Sequence, residues 1–280
     1  MLRLKSLLAG ILNGRVWSNA LAGLACIFGV GSAATAEDIY RPKLGLEIVL
    51  PGMYNDNFGA SRTDKVDGLN ATPTGKLALT GNISEALAYT VVAGIIVDRF
   101  DKTGFAGDTA RSGVTLTYTK AQWRFDWSYE ARWLFTPTFD ELQTRLDNFV
   151  FLVTVPTFHF GRAGDLTFQA GYRERVATDV VSSHHSPYVT ASWSKPLEGI
   201  AKDWKLGADL LVRYLEYDRG RPVTAKDWLI SKELSLTRAL STNLELKFSA
   251  THETRDSNIL ERNYENWLVG ATLTLTAQIF

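Results

Sequence analysis

The sequence predicts an all-β fold, a closed antiparallel transmembrane β-barrel of about 12 strands. Three observations predict it: apolar and polar side chains alternate residue by residue, most strand-like segments are long, and long connections alternate with short ones. A tilted membrane-crossing strand needs about 9–11 residues, whereas strands of globular proteins average about 5–6. In hydrocarbon every backbone group must find its partner within the protein, so such a sheet must close on itself.

The alternation is clearest over residues 121–133. Apolar side chains at Trp123, Phe125, Trp127, Tyr129, Ala131 and Trp133 alternate with Arg124, Asp126, Ser128, Glu130 and Arg132. A helix would scatter these aromatic residues around its circumference, whereas a strand places them on one face. Similar patterns predict twelve strands, near 43–55, 72–82, 87–99, 111–120, 121–134, 146–160, 165–176, 186–195, 204–217, 227–237, 243–255 and 264–280. A soluble β-sandwich, the competing fold, should have shorter strands and singly buried Trp residues.

The connections differ on the two sides of the predicted sheet. Those after odd strands are mostly long and polar, and those after even strands are mostly short, such as Thr119-Lys120. This asymmetry is typical of bacterial outer-membrane barrels, and it predicts that both termini lie on the short-turn, periplasmic side. We expect Trp and Tyr near strand ends to anchor the two membrane interfaces. The candidates are Tyr54, Tyr89, Trp123, Trp133, Trp193, Trp204, Trp228 and Trp267.

Residues 1–36 are predicted to be a secretory signal peptide, cleaved before Glu37. They carry three basic residues and no acidic one, then an apolar stretch, then an Ala-x-Ala ending at 34–36. The apolar stretch is shorter than the roughly 20 residues that a membrane-spanning helix needs. Residues 37–280 then form the barrel domain, with 27 basic residues left of 30 against 30 acidic ones, a net charge of −3.

Composition excludes several other classes of protein. The whole chain has 280 residues, with 30 Lys and Arg against 30 Asp and Glu, and so no basic excess to neutralise nucleic-acid phosphates. The single cysteine, Cys26, excludes a disulfide framework and a zinc site with several Cys ligands. No phosphate-binding loop, zinc motif or nucleotide fingerprint stands out. We therefore expect no cofactor, no metal and no nucleic-acid partner.

The chain ends in the aromatic residue Phe280. Outer-membrane barrels commonly end in such a residue, which the barrel-insertion machinery reads, and we expect that machinery and outer-membrane lipid as partners. The apolar positions before it, Leu273, Leu275, Ala277 and Ile279, stand one residue out of phase with Phe280.

In a membrane barrel the apolar face meets lipid and the polar face lines the lumen. Strand phase assigns seven acidic and seven basic side chains to that interior: Glu47, Arg124, Asp126, Glu130, Arg132, Arg173, Arg175, Lys205, Asp209, Arg213, Glu233, Glu245, Lys247 and Glu253. The candidate solute-binding residues are Arg124, Asp126, Glu130, Arg132, Arg173, Arg175, Lys205, Asp209 and Arg213. Interior charges must be hydrated or paired. Hydrated charges would make a channel, with selectivity set by the charges at its constriction, and paired charges would make a plug.

The densest group of residue types used in catalysis is residues 182–186, at the outer end of two strands. Because all of these residues are polar, the segment is predicted to be a loop at the protein surface. His184-x-Ser186 resembles the His-x-Ser arrangement of outer-membrane phospholipase A, which implies a Ser nucleophile activated by His. The Asn that orients the His in that family has no counterpart, since residues 194–196 read Ser-Lys-Pro.

A second resemblance lies at the end of the first strand, in Tyr54-Asn55-Asp56-Asn57-Phe58. This stretch is similar to one in lipid A deacylases, but the downstream Tyr-Thr-Asn-Gly motif is replaced by Pro-Thr-Gly at 73–75. It also resembles a stretch in uncharacterised β-barrel porins of the bacterial outer membrane, where Asn and Asp satisfy backbone groups as the strand turns into its loop.

The resemblance to β-barrel porins implies an outer-membrane channel without covalent chemistry, which passes small polar solutes. The arginines of the predicted lumen suit anionic solutes, because a guanidinium group matches a carboxylate. Two alternatives remain open. One is a lipid-modifying hydrolase built on His184 and Ser186, and the other is a structural or surface-interaction barrel with a closed lumen.

Overall fold

The computed structural model describes residues 41–57, 65–100, 107–179, 182–201, 203–217 and 224–280. The predicted signal peptide lies outside these residues. Within them, the predicted all-β fold is confirmed, as a single antiparallel sheet that closes into a barrel of 12 strands. No helix in the described parts of the chain is long and apolar enough to cross a membrane.

The barrel is built from fourteen strand segments in the described residues. They are β1 (Lys43–Asn55), β2 (Gly68–Ala71), β3 (Thr74–Asn82), β4 (Leu87–Phe100), β5 (Gly107–Lys120), β6 (Trp123–Phe135), β7 (Leu142–Thr154), β8 (Phe158–His159), β9 (Asp165–Ala177), β10 (His184–Pro196), β11 (Trp204–Tyr217), β12 (Ala225–Ser241), β13 (Leu244–Ser257) and β14 (Tyr264–Gln278). The pairs β2 with β3 and β7 with β8 are each one barrel strand with a break. Pro73 and Pro156 lie in these breaks, because proline has no N–H to give to the ladder.

The barrel closes between its first and last strands. β1 pairs with β14 from Gly45 opposite Gln278 to Asn55 opposite Leu268. Beyond that ladder the backbone N–H of Leu44 donates to the carbonyl of Phe280, at 3.0 Å. Because the first and last strands pair with each other, neither is left as an open edge of the described sheet.

The two ends of the barrel have different connections. At one end, the long-loop end, the connections span six to twelve residues, and at the other, the short-turn end, they span two to seven. The described chain begins and ends at the short-turn end. Several strands run further towards the long-loop end than predicted, since β5 begins at Gly107 and β7 at Leu142.

One turn was placed wrongly by the sequence pattern. The β5–β6 turn is Ala121–Gln122, two residues after the predicted Thr119-Lys120, and both of its residues have positive φ, 48° and 70°. Such turns match the twist of a hairpin and usually carry Asn-Gly or Asp-Gly, a signal that is absent here.

Strand register separates the side chains into two faces, because paired residues point to the same side of the sheet. Large apolar side chains lie exposed on the outer face, with Trp127 47% and Leu234 65% accessible. The predicted interface residues Tyr54, Tyr89, Trp123, Trp133, Trp193, Trp204, Trp228 and Trp267 all lie on this outer face. A soluble sandwich would bury such side chains, so the outward apolar face is that of a membrane barrel.

The outer face also carries ion pairs towards the long-loop end. Arg145 pairs with Asp147 at 2.9 Å and Arg99 with Asp108 at 2.7 Å, and His252 Nε2 lies 2.8 Å from a carboxylate oxygen of Glu265. Charges of this kind are costly in hydrocarbon. They therefore mark the part of the wall that lies at or above the membrane interface.

Candidate functional site: the barrel lumen

The structure places all nine candidate solute-binding residues on the inward face of the barrel. Arg175 lies between Asn148 and His184 in the neighbouring strands, and Arg213 lies opposite Tyr188. The same face carries Glu47, Glu233, Glu245, Lys247 and Glu253. It also carries charged residues that the sequence analysis did not assign to the lumen: Lys76, Arg111, Asp227 and Arg255.

The lumen is open towards one end, and buried side chains narrow it towards the other. At the short-turn end the side chain of Arg124 is 55% exposed, and Lys205 and Asp209 are also exposed. A cavity of about 500 Å³ lies at this end, lined in part by Glu47 and Lys76. Towards the long-loop end the inward side chains are buried among themselves, as for Asn148, His184, Ser186, Leu215, Asp227 and Asn266. The described residues thus narrow the lumen in its long-loop half.

Most lumen cations have a carboxylate partner close along the wall. Arg124 pairs with Asp126 at 2.9 Å and Arg132 with Glu130 at 2.5 Å, in each case two residues along the same strand. Pairs between neighbouring strands join Lys76 to Glu47 at 2.8 Å, Lys247 to Glu233 at 2.5 Å and Arg111 to Glu130 at 3.9 Å. Every ion pair between lumen residues of the described strands lies within one strand or between adjacent strands.

Three inward arginines, Arg173, Arg175 and Arg213, lie outside these pairs on neighbouring strands, and we call them the arginine cluster. None of the three forms an ion pair with a carboxylate of the described residues. Arg175 donates from Nε to the side-chain oxygen of Asn148 at 2.9 Å, and the guanidinium of Arg213 lies 5.2 Å from the ring centre of Tyr188. Arg173 and Arg213 both act repulsively on Arg175. The lumen therefore has a patch of uncompensated positive charge.

Two acidic residues of the lumen face, Glu253 and Glu130, have other partners. Glu253, on a strand two removed from Arg213, attracts it from beyond ion-pair distance, and its carboxylate accepts a hydrogen bond from the hydroxyl of Tyr264. Glu130 is held by Arg132. The cluster thus keeps its charge despite the acidic residues on the same face.

His184 and Ser186 do not form the predicted surface loop. β10 begins at His184, and both side chains point inward and are buried, with Ser186 0% exposed. The polar run at 182–186 looks like a loop in the sequence because a lumen-facing strand end is polar too. His184 Nδ1 lies 3.1 Å from the Ser182 carbonyl oxygen, and Ser186 Oγ has no hydrogen-bond partner among the described residues. An activated serine needs a base within hydrogen-bond reach, so the geometry does not support the implied phospholipase site.

A cluster of charge at the long-loop end was missed by the sequence analysis. The Asp227 carboxylate accepts hydrogen bonds from Arg255 and from Arg262, the latter at 2.7 Å. Arg262 belongs to the 3₁₀ turn Leu260–Arg262 between β13 and β14, and its guanidinium lies 4.3 Å from the ring centre of Tyr217. This contact ties the last connection to the lumen wall. The inward phase of β13, which included Glu253, could have identified Arg255.

The Asn and Asp residues at the end of β1 form hydrogen bonds to backbone groups, as the sequence predicts. The backbone N–H of Asn57 donates to the Asn55 side-chain oxygen at 2.8 Å, and the Asp56 carboxylate accepts from the backbone N–H of Trp267 at 2.6 Å. The Asn57 amide donates to the carbonyl of Glu265 at 3.0 Å. These side chains satisfy backbone groups where the strand becomes a loop.

Among the described residues, no group of three or more His, Cys, Asp or Glu could hold a metal ion.

No protein-family model matches the sequence, and no curated protein matches it. Solved structures do resemble the barrel. An outer membrane channel from Pseudomonas putida F1 aligns with a TM-score of 0.56 over 88% of this chain and 100% of that one, at 9% identity. The beta domain of the Bordetella autotransporter Brka aligns with a TM-score of 0.51 over 84% and 99%, at 10% identity. At these identities the likeness shows the fold, and the chain is an outer-membrane β-barrel of porin-like architecture.

Proposed function

We propose that the protein is a passive, porin-like channel that favours small anionic solutes. The observation that carries the proposal is the arginine cluster, three inward guanidinium groups without an ion-pair partner in the described residues. Positive charge in a confined pore raises the local concentration of anions and lowers that of cations. Guanidinium groups also match the oxygens of carboxylates and phosphates in geometry.

The arrangement of ion pairs supports a channel over a charge-pair plug. In a plug, Arg–carboxylate pairs would bridge strands on opposite sides of the lumen. The pairs found between lumen residues of the described strands instead run along the wall, as in Arg132–Glu130 and Lys247–Glu233. Such pairs leave the axis free of bridges. The exposed lumen residues and the 500 Å³ cavity at the short-turn end are in keeping with a hydrated interior.

Single-channel recording tests the proposal directly. Residues 37–280, refolded and inserted into a planar bilayer, should give steady openings, and the reversal potential in a KCl gradient should show preference for chloride. Arg173→Gln with Arg213→Gln should reduce that preference, because the double variant removes two of the three positive charges of the arginine cluster. Arg145→Gln removes a charge from the outer face, where Asp147 pairs with it, and should leave selectivity unchanged.

Three results would contradict the proposal. A well-folded barrel that never opens would support a structural or surface-interaction role with a closed lumen. A preference for potassium, or a chloride preference that survives loss of both arginines, would mean that other charges set the selectivity.

A further inference from the structure

We infer that the lumen contains a binding site for a phosphate group, as inorganic phosphate or a phosphomonoester, formed by the arginine cluster and Ser186. This inference rests on the proposed function and deepens it by naming the class of solute. Binding itself does not require conduction, so the site can be tested on a barrel that stays closed.

The first argument is a group of buried polar atoms without partners. Ser186 Oγ, Arg173 Nε and Arg213 Nε are all buried and have no hydrogen-bond partner among the described residues. Ser186 and Arg173 lie directly opposite each other in the β9–β10 pair, and Arg213 lies opposite Tyr188, the next inward residue of β10. Buried polar groups in folded proteins are rarely left unsatisfied. Three of them on three neighbouring strands point to a ligand that accepts hydrogen bonds.

The second argument is charge. The cluster contributes three positive charges, and no carboxylate of the described residues pairs with them. Burial of like charges side by side is unfavourable unless an anion compensates it. Chloride would supply one charge and no directional fit, and a carboxylate would supply one charge and two oxygens in a plane. A phosphate supplies up to two charges and several oxygens directed towards different strands, which fits donors that come from β9, β10 and β11.

The position of the site restricts the source of the phosphate. Arg173, Ser186 and Arg213 all face the lumen, whereas lipid contacts the opposite face of these strands. A soluble phosphate or phosphomonoester can reach them through the lumen, and a membrane lipid headgroup cannot do so from the bilayer. Competition between inorganic phosphate and glycerol phosphate would show whether the site takes both.

Isothermal titration calorimetry of the detergent-folded barrel with inorganic phosphate tests the site. We expect saturable binding, with acetate and chloride weaker by about tenfold or more, the effect of losing a charge-assisted hydrogen bond. Arg173→Gln should weaken phosphate binding by a similar factor, and Ser186→Ala several-fold. Arg145→Gln, which changes an arginine of the outer face, should leave phosphate affinity unchanged.

Thermal melting of Ser186→Ala adds a readout that a structural role would not produce. Removing an unpartnered buried hydroxyl should leave the phosphate-free barrel as stable or more stable, while the stabilisation by phosphate becomes smaller.

Phosphate binding by a barrel that never conducts would support the site and refute the channel. A conducting barrel without saturable phosphate binding, or with binding unaffected by Arg173→Gln and Ser186→Ala, would overturn the site. Equal affinity for acetate would overturn its assignment to phosphate.

Discussion

Replacement of Asp227 by Asn should destabilise the barrel more than most single changes in the lumen. The Asp227 side chain has no exposed surface, and one of its oxygens, Oδ2, accepts hydrogen bonds from both Arg255 and Arg262. Asparagine has nearly the same shape but no charge. The variant therefore leaves two arginines close together at the long-loop end without their counter-ion.

The size of the effect follows from the exposure of the partners. Arg255 and Arg262 are 19% and 17% exposed, so water compensates part of the loss. A hydrogen bond to a charged group contributes roughly 1.5–3 kcal/mol, and we take the lower value for each of two contacts. The expected cost is about 3 kcal/mol, which is a change of about a hundredfold in the folding equilibrium constant.

Urea unfolding of the barrel in detergent micelles, followed by tryptophan fluorescence, measures this cost. Asp209→Asn is the matched control, because Asp209 is an exposed lumen residue with no ion pair among the described residues, and it should change stability by less than about 0.5 kcal/mol. Adding Arg262→Gln to Asp227→Asn should recover part of the loss, since one uncompensated charge disappears. A cost below about 1 kcal/mol for Asp227→Asn would refute the reasoning.

Two further predictions concern the fit of the lumen and the assembly of the barrel. Gly171→Ala should weaken both phosphate binding and anion preference, because a Cβ at Gly171 would overlap the Tyr188 ring on which Arg213 lies. Gly52→Ala is the control for phosphate titration and reversal potentials, as a Cβ there has open space, and equal effects of the two changes would contradict the prediction. Deletion of Phe280 should slow insertion into proteoliposomes that carry the barrel-insertion machinery, whereas Phe280→Tyr keeps an aromatic end and should insert normally. Insertion of the truncated chain at the full rate would contradict a role for this residue.

The fold could be predicted from the sequence because lipid outside and water inside impose unlike faces on every strand. The pattern placed all twelve barrel strands, with ends correct to within a few residues for most of them. It missed the breaks at Pro73 and Pro156, which the alternation passes over. It also missed the turn at Ala121–Gln122, where residues other than glycine adopt positive φ.

The lumen was predictable as a face but not as a site. The alternation of side chains along each strand assigns Arg173 and Arg213 to the interior, and the pairing of the strands in the structure agrees with that assignment. Phase cannot tell how deeply a side chain is buried, since depth depends on what fills the lumen at that level. Ser186 illustrates the limit: a polar residue at the end of a strand looks solvent-exposed in the sequence, yet it is fully buried by its lumen neighbours.

The predicted lumen has equal numbers of acidic and basic residues, which would allow all of their charges to neutralise each other. In a barrel wall, however, a charge is neutralised only by its immediate neighbours. A side chain on one face meets the residues two positions before and after it, and those opposite it on the adjacent strands. Arg124 has Asp126 at one of these positions, and Arg132 has Glu130.

Arg173 and Arg213 have no acidic neighbour of this kind. The residues around Arg173 are Gly171, Arg175, Val150 and Ser186, and those around Arg213 are Leu211, Leu215, Tyr188 and Leu229. A chain with no net charge can therefore present a positive patch to its pore. Introducing one acid at a neighbouring position, as in Leu211→Glu, should neutralise Arg213 and lower the chloride preference without changing any arginine. An unchanged reversal potential in that variant would mean that the local rule does not govern selectivity.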